Sequence, residues 1–251
     1  MSSDIWTRDE LLASSIAIET TAWRVVEAQH RISTMKLADS LEDQEVLEQI
    51  IESTKPPIPA DCRHLHYLLF TPFRYASENP YDSRFRRAGS VEGVFYAAAS
   101  VETAIAEVAF YRLLFYAESP DTPLPTNPGE HTAFAVDIKA KPAVDLTRPP
   151  MSAHASLWMA PQNYTYCQDI GAAARKEGAQ AICFSSVRDP KHRPNFAVLS
   201  PVAFAQPSPV LMQTWRIDIR RDGVLARCEA PTIGLSFTVA DFAADTRLRA
   251  A

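Results

Sequence analysis

The chain is short of the residues that build several familiar sites. It holds seven glycines in 251 residues and no GxGxxG. A Rossmann dinucleotide cradle needs glycine for its tight turn and for close approach of the pyrophosphate, so that fold is not expected. The four cysteines, Cys62, Cys167, Cys183 and Cys228, are far apart and form no CxxC. Neither a zinc knuckle nor a redox pair is signalled, and free thiols in a reducing cytosol are expected. GxSxG and HExxH are both absent, which removes the nucleophile elbow and the zinc-protease helix. No run of about 18 uninterrupted apolar residues offers a membrane helix. The N-terminus lacks a basic region followed by an apolar stretch, so no signal peptide is expected. The net charge of −5 gives no global basic field, which argues against nucleic acid as a direct partner. There is no internal repeat and no low-complexity tract. These absences leave a soluble, cytoplasmic protein as the expectation.

An apolar fraction of 47% can fill a sizeable core, and the length suits one large domain or two small ones. The chain is organised around residues 79–116, NPYDSRFRRAGSVEGVFYAAASVETAIAEVAFYRLLFY. Arg84, Arg86 and Arg87 crowd a loop. Val94, Phe95 and Tyr96 form a short strand, and Ser100 is placed to cap a helix because its hydroxyl can accept a free N–H. Between 104 and 117 that helix carries only Glu107 and Arg112 as charges. Val101, Ala104, Ile105, Val108 and Phe115 make one stripe, and Phe110 and Leu114 cover the opposite side. A helix apolar nearly all round is buried, and a carboxylate in it is costly unless paired or used. A structural ion pair with an arginine and a functional role both remain open for Glu107.

Elsewhere, Trp23-Arg24-Val25-Val26 is strand-like, with Arg24 on an exposed strand face or in a site. Residues 36–53 read as an amphipathic helix stopped by Lys55-Pro56-Pro57. LHYLLFTPFRY, 65–75, is a buried strand or helix end, a proline turn, and then Arg74 beside Tyr75, a pair suited to an anion or to packing. His64 and His66 would share one strand face but lack a convincing third ligand, so no metal is expected. A proline-rich loop at 120–130 precedes a strand at 131–138. A helix spans 164–177 and is ended by Gly178, followed by a strand at 179–185, a polar turn from Ser186, and a returning strand NFAVL. The last thirty or so residues read as a peripheral cap or frayed tail.

The RFR loop, GVFYAAASVETAIAEVAFYR, the early arginine strand and the strand–turn–strand around Ser186 resemble the RES domain, named after its characteristic Arg, Glu and Ser. The resemblance runs from about residue 23 to about 204. It implies an α+β, ADP-ribosyltransferase-like fold with a split, mixed, mostly antiparallel sheet and flanking helices. It divides the chain into an N-terminal extension (1–22), a catalytic domain (23–205) with a helical insertion at about 33–60, and a peripheral C-terminal segment (206–251). It also implies a toxin of a bacterial toxin–antitoxin pair that consumes NAD or transfers its ADP-ribose. NAD would be a substrate, with no permanently bound cofactor and with inorganic phosphate as a candidate co-substrate. The implied protein partner is a cognate Xre-like antitoxin, in a homodimer or a toxin–antitoxin hetero-oligomer.

On this resemblance Glu107, Arg24 and Ser186 (or its neighbour Ser185) are the candidate catalytic residues. Arg24, Arg84 or Arg86, Tyr96 and Arg74 are the candidate NAD contacts. Guanidinium groups bind phosphate oxygens in a fork that lysine cannot reproduce, an aromatic face attracts the cationic nicotinamide, and a carboxylate stabilises the oxocarbenium-like transition state. Phosphorolysis, hydrolysis and ADP-ribosyl transfer to a protein share this donor chemistry. A non-catalytic nucleotide-binding module is the alternative of another class.

Overall fold

The structure, a computed structural model, describes residues 7–28, 37–76 and 79–248. In chain order its elements are α1 (Arg8–Ala13), β1 (Ser15–Glu27), α2 (Leu41–Ser53), α3 (Tyr67–Arg74), β2 (Phe95–Ala98), α4 (Val101–Glu118), β3 (Gly129–Asp145), α5 (Ala155–Trp158), α6 (Thr165–Lys176), β4 (Ala181–Ser185), β5 (Pro194–Val198), β6 (Leu211–Ile219), β7 (Gly223–Cys228) and β8 (Ile233–Thr238). Short 3-10 turns join several of them. No helix among the described residues is long and apolar enough to cross a membrane.

The long strand β3 is the spine. Its alternation sends Phe134, Val136, Ile138 and Ala140 into one core and Ala133 into another. One edge of β3 pairs antiparallel with β1, from Ser15↔Val144 to Glu27↔His131. Its other edge takes β6 in the first half and β4, in parallel, at Ala143–Asp145. The eight strands run β1-β2-β5-β4-β3-β6-β7-β8, and the added β1–β3 pairing closes the first five into a circuit. The sheet is therefore mixed and mostly antiparallel, as the resemblance implies.

β1 meets β2 at Trp23↔Ala98 alone. Past that point β1 follows β3 while β2 follows β5. The two strands part there, and the opening lies beside the N-terminal half of α4. Three cores hold this arrangement. α3 places Leu68, Leu69 and Phe73 against Phe95, Phe134 and Phe196. α4 packs Ile105, Ala109 and Phe110 on Trp215, Ile217 and Val224. α6, with Met151 and Trp158, covers Ile182, Phe184 and Ala197. At about 25 cal/mol per Å² of apolar surface, these layers supply most of the driving force for folding.

Ser100 caps α4 as the sequence suggests, its Oγ accepting from Thr103 N at 3.2 Å. The stretch 65–75 is the helix α3, which includes Pro72 near its end, where the missing N–H costs a single bond. Two boundaries differ from the sequence reading. β1 begins at Ser15, so part of the expected N-terminal extension lies inside the sheet. The segment after 206 is not peripheral: β6, β7 and β8 belong to the sheet, and Phe242 and Leu248 are in the α4 core. The tail looked frayed because β7 and β8 are only six residues each, too short to show a clear period. Within the expected insertion, residues 33–36 lie outside the described residues. α2 buries none of its side chains and is tied down through the Glu52–Arg74 ion pair at 2.7 Å.

Candidate active site

The parting of β1 and β2 opens a cleft of ≈ 780 Å³, in the range of sites that enclose an organic ligand. One face of α4 forms a wall. Ala104, Glu107, Val108, Tyr111, Arg112 and Phe115 all line the cleft, and their spacing of three and four puts them on one helical stripe. Arg24 comes from β1, Arg84 from the arginine loop, Tyr96 from β2 and Asn195 from β5.

Glu107 makes no ion pair among the described residues. Its Oε1 instead accepts two neutral hydrogen bonds, from Ser186 Oγ at 2.6 Å and Asn195 Nδ2 at 2.7 Å. Oε2 accepts none from a described residue. The structural pairing with an arginine that the sequence left open is therefore absent among the described residues. Ser186 is fully buried and does not line the cleft. Its Oγ donates to Glu107 and accepts from the backbone N–H of Arg188 at 3.2 Å and of Asp189 at 2.9 Å. With its oxygen engaged by those two donors, its proton is directed at the carboxylate. Ser185, the neighbouring candidate, makes no side-chain hydrogen bond to a described residue and does not line the cleft.

The turn after Ser186 is locked from two sides. Asp189 Oδ2 accepts from Thr103 Oγ1 at 2.8 Å and from Arg193 Nε, which fixes the turn to the start of α4. Burial alone would raise the Asp189 pKa, but bonds from Arg193, the Lys191 N–H and Thr103 outweigh it and hold the carboxyl below its usual range. Arg188, 4% exposed, lies over the Phe110 ring at 3.8 Å and pairs with buried Asp245 at 2.9 Å. The C-terminal segment thus buttresses the turn that holds Glu107.

Arg24 lines the cleft and pairs with no carboxylate among the described residues. It donates to the Tyr96 carbonyl at 2.9 Å, and its guanidinium sits 5.0 Å from the Phe95 ring centre. Burial pulls its pKa down to about 10, the Tyr96 phenol offsetting part of that, so it remains a cation at neutral pH. Arg84 Nη1 is held by the carbonyls of Trp158 at 2.7 Å and Ala160 at 3.1 Å, with its guanidinium 4.7 Å from the Tyr164 ring centre. The Tyr96 hydroxyl bonds to Ser83 Oγ and accepts from the Phe85 N–H, each at 2.9 Å, and burial raises its pKa.

Two candidate contacts are not brought to the cleft. Arg86 is buried behind the loop, where its guanidinium donates to the carbonyls of Ala76 and Tyr81. Arg74 donates to the Pro56 carbonyl at 2.6 Å and pairs with Glu52. Both arginines satisfy backbone oxygens and hold loops, so neither has a free face for phosphate. Arg86→Ala is expected to lower stability by about 1–3 kcal/mol, because buried carbonyls lose a charged donor. Thermal denaturation checks this, and the folded fraction should keep its ligand affinity.

Sequence reasoning missed Asn195, Tyr111, Tyr164, Arg188, His131 and Arg247, all of which line the cleft. Tyr111 was visible as one turn beyond Glu107 on the same stripe; the others had no local signal. Among the described residues, the buried side-chain polar atoms without a partner are His131 Nε2, Arg188 Nε and Asn195 Oδ1. All three belong to residues lining the cleft. Buried polar groups are normally satisfied, and these three are the exceptions, in the shell that surrounds the cleft.

The family model described as RES domain matches residues 58–220 of this chain. That span takes in Arg84, Tyr96, Glu107, Ser186 and Asn195, and leaves out Arg24 and the buttress at Asp245. No curated protein matches the chain. Among solved structures, a chain of the M. tuberculosis MbcT–MbcA toxin–antitoxin complex is similar at 14% identity and a TM-score of 0.48, over 97% of each chain.

Proposed function

The chain belongs to the RES domain family, and from that premise we propose that it is the toxin of a bacterial toxin–antitoxin pair that depletes NAD by breaking the bond between nicotinamide and ribose. The observation that carries this reading is Glu107: a carboxylate in a cleft wall, paired with no arginine among the described residues, held through one oxygen by Ser186 and Asn195. A negative charge fixed without a cationic partner suits a positive charge that appears only during reaction.

In this reading NAD lies in the cleft with its pyrophosphate towards Arg24 and Arg84. The C1′–N bond of the ribose breaks and its electron pair goes to the pyridinium nitrogen, so nicotinamide leaves neutral and no general acid is required. Glu107 stabilises the oxocarbenium ion left at C1′. Ser186 and Asn195 orient the carboxylate. Water attacking C1′ gives ADP-ribose and a proton; hydrogen phosphate gives the ADP-ribose phosphoester. The antitoxin would silence the toxin by covering the cleft, whose rim exposes Tyr111 and Phe115.

The test is incubation of purified protein with NAD, with and without phosphate, and identification of products by mass spectrometry. Free nicotinamide is expected, and the second product reports the acceptor. Intact NAD after prolonged incubation with folded protein would overturn the proposal.

A further inference from the structure

An ion pair between Glu27 of β1 and Arg112 of α4 ties two walls of the cleft together. Arg112 lies five residues past Glu107, about 7–8 Å along the helix. Glu27 lies four residues past Trp23, where β1 and β2 part, about 13 Å along the strand. Arg24 comes between those two along β1. From the parting outwards the cleft therefore presents the Glu107 carboxylate, the Arg24 guanidinium and then the Glu27–Arg112 pair. The side chains of the pair are 62% and 32% exposed, so a ligand in the cleft can reach both. Phe115, half-exposed, follows Arg112 by three residues on the same lining stripe. An ion pair this open adds little to stability, so the needs of the fold do not account for it.

We propose that Glu27 reads the adenosine ribose of the dinucleotide and restricts the site to NAD against NADP. The proposal rests on the NAD reading above. Along NAD, the scissile bond is followed by the nicotinamide ribose, the pyrophosphate, the adenosine ribose and the adenine. The cleft offers matching chemistry in the same order: Glu107 for C1′, Arg24 for the pyrophosphate, Glu27 for the adenosine ribose and Phe115 for the adenine face. A carboxylate has lone pairs for several donors, so Glu27 can accept from the 2′- and 3′-hydroxyls and keep Arg112. Acidic side chains read an unphosphorylated ribose in this way in other nucleotide folds. In NADP the 2′-oxygen carries a phosphate of nearly two negative charges. That group brings acceptors and like charge to a place that needs donors. The guanidinium that could receive it is already occupied by Glu27. Selection thus comes from repulsion as much as from attraction.

The experiment measures nicotinamide release from NAD and from NADP by wild type, Glu27→Gln, and the double variant Glu27→Gln with Arg112→Gln. Both dinucleotides break the same bond, so a difference between them reports recognition rather than chemistry. Wild type should favour NAD by about 10-fold or more in kcat/KM. Glu27→Gln removes the repulsion and frees Arg112, so kcat/KM for NADP should rise at least about fivefold while that for NAD falls. The double variant should lose the gain on NADP, because Arg112 is what receives the phosphate. A structural brace would weaken both substrates together. Equal losses in folded Glu27→Gln therefore overturn the proposal, as does a wild type that consumes NAD and NADP alike. Either result leaves the NAD reading standing. The wild-type ratio decides alone if a variant fails to fold. A wild type that consumes neither dinucleotide overturns the NAD reading and the proposal with it.

Discussion

Glu107→Gln is expected to cut NAD turnover at least about 100-fold while leaving the fold nearly untouched. Glutamine keeps the length of the side chain and its fit on α4. Its Oε1 can still accept from Ser186 and Asn195, so the two bonds that hold the carboxylate survive. Only the negative charge goes. That charge matters most when C1′ becomes cationic, so kcat falls and ground-state affinity for NAD changes far less. No arginine is stranded by the change, because Glu107 pairs with none among the described residues, so the denaturation midpoint should barely move. Nicotinamide release by single-turnover kinetics and thermal denaturation together check this. A folded Gln variant that consumes NAD at nearly the original rate sinks the catalytic assignment. Arg84→Lys is the paired control. It keeps a charge but loses the planar guanidinium whose Nη1 meets the Trp158 and Ala160 carbonyls and whose face lies on Tyr164, so KM should rise more than kcat falls.

How much of this site the sequence discloses follows from where each signal resides. Glu107 is conspicuous because a lone carboxylate stands in an apolar helix, and the 3.6-residue period gives its neighbours. Ser100, Ser186 and Arg24 stand at strand or helix ends that local patterns locate. Arg84 and Arg86 cannot be told apart by pattern. The chain doubles back with Ser83 and Arg86 exchanging backbone bonds at 2.8 and 3.2 Å, and this small turn decides which arginine reaches the cleft. Arg84 at its tip does, and Arg86 folds under it. Asn195, Arg188 and Asp245 were not legible because their partners are remote: Asn195 meets Glu107 across 88 residues. Arg188 and Asp245 come together through β7 and β8, whose short strands the pattern did not reveal. The circuit of five strands, which creates the opening, depends on the single β1–β2 contact at Trp23↔Ala98, and no periodicity encodes that.

Arg24→Met is expected to weaken NAD binding by about 100-fold and yet leave the protein as stable as wild type or slightly more stable. The two directions share one cause. Arg24 is a half-buried cation whose pKa burial lowers, and among the described residues no carboxylate compensates it. It retains a bond to the Tyr96 carbonyl and the Phe95 face, which recover only part of the desolvation cost. Methionine follows the same path, keeps the apolar contact with Phe95 and removes the buried charge, so stability should hold or rise by about 1 kcal/mol. In the cleft the balance reverses. A guanidinium held in place by the Tyr96 carbonyl meets an anionic pyrophosphate without first leaving a carboxylate of the described residues, and losing a charged pair of this kind costs about 2–5 kcal/mol. The check is a thermal denaturation midpoint beside a KM or a dissociation constant for NAD. If Arg24→Met instead lowers the midpoint strongly and leaves NAD affinity intact, Arg24 is a structural brace between β1 and β2 and the pyrophosphate site lies elsewhere.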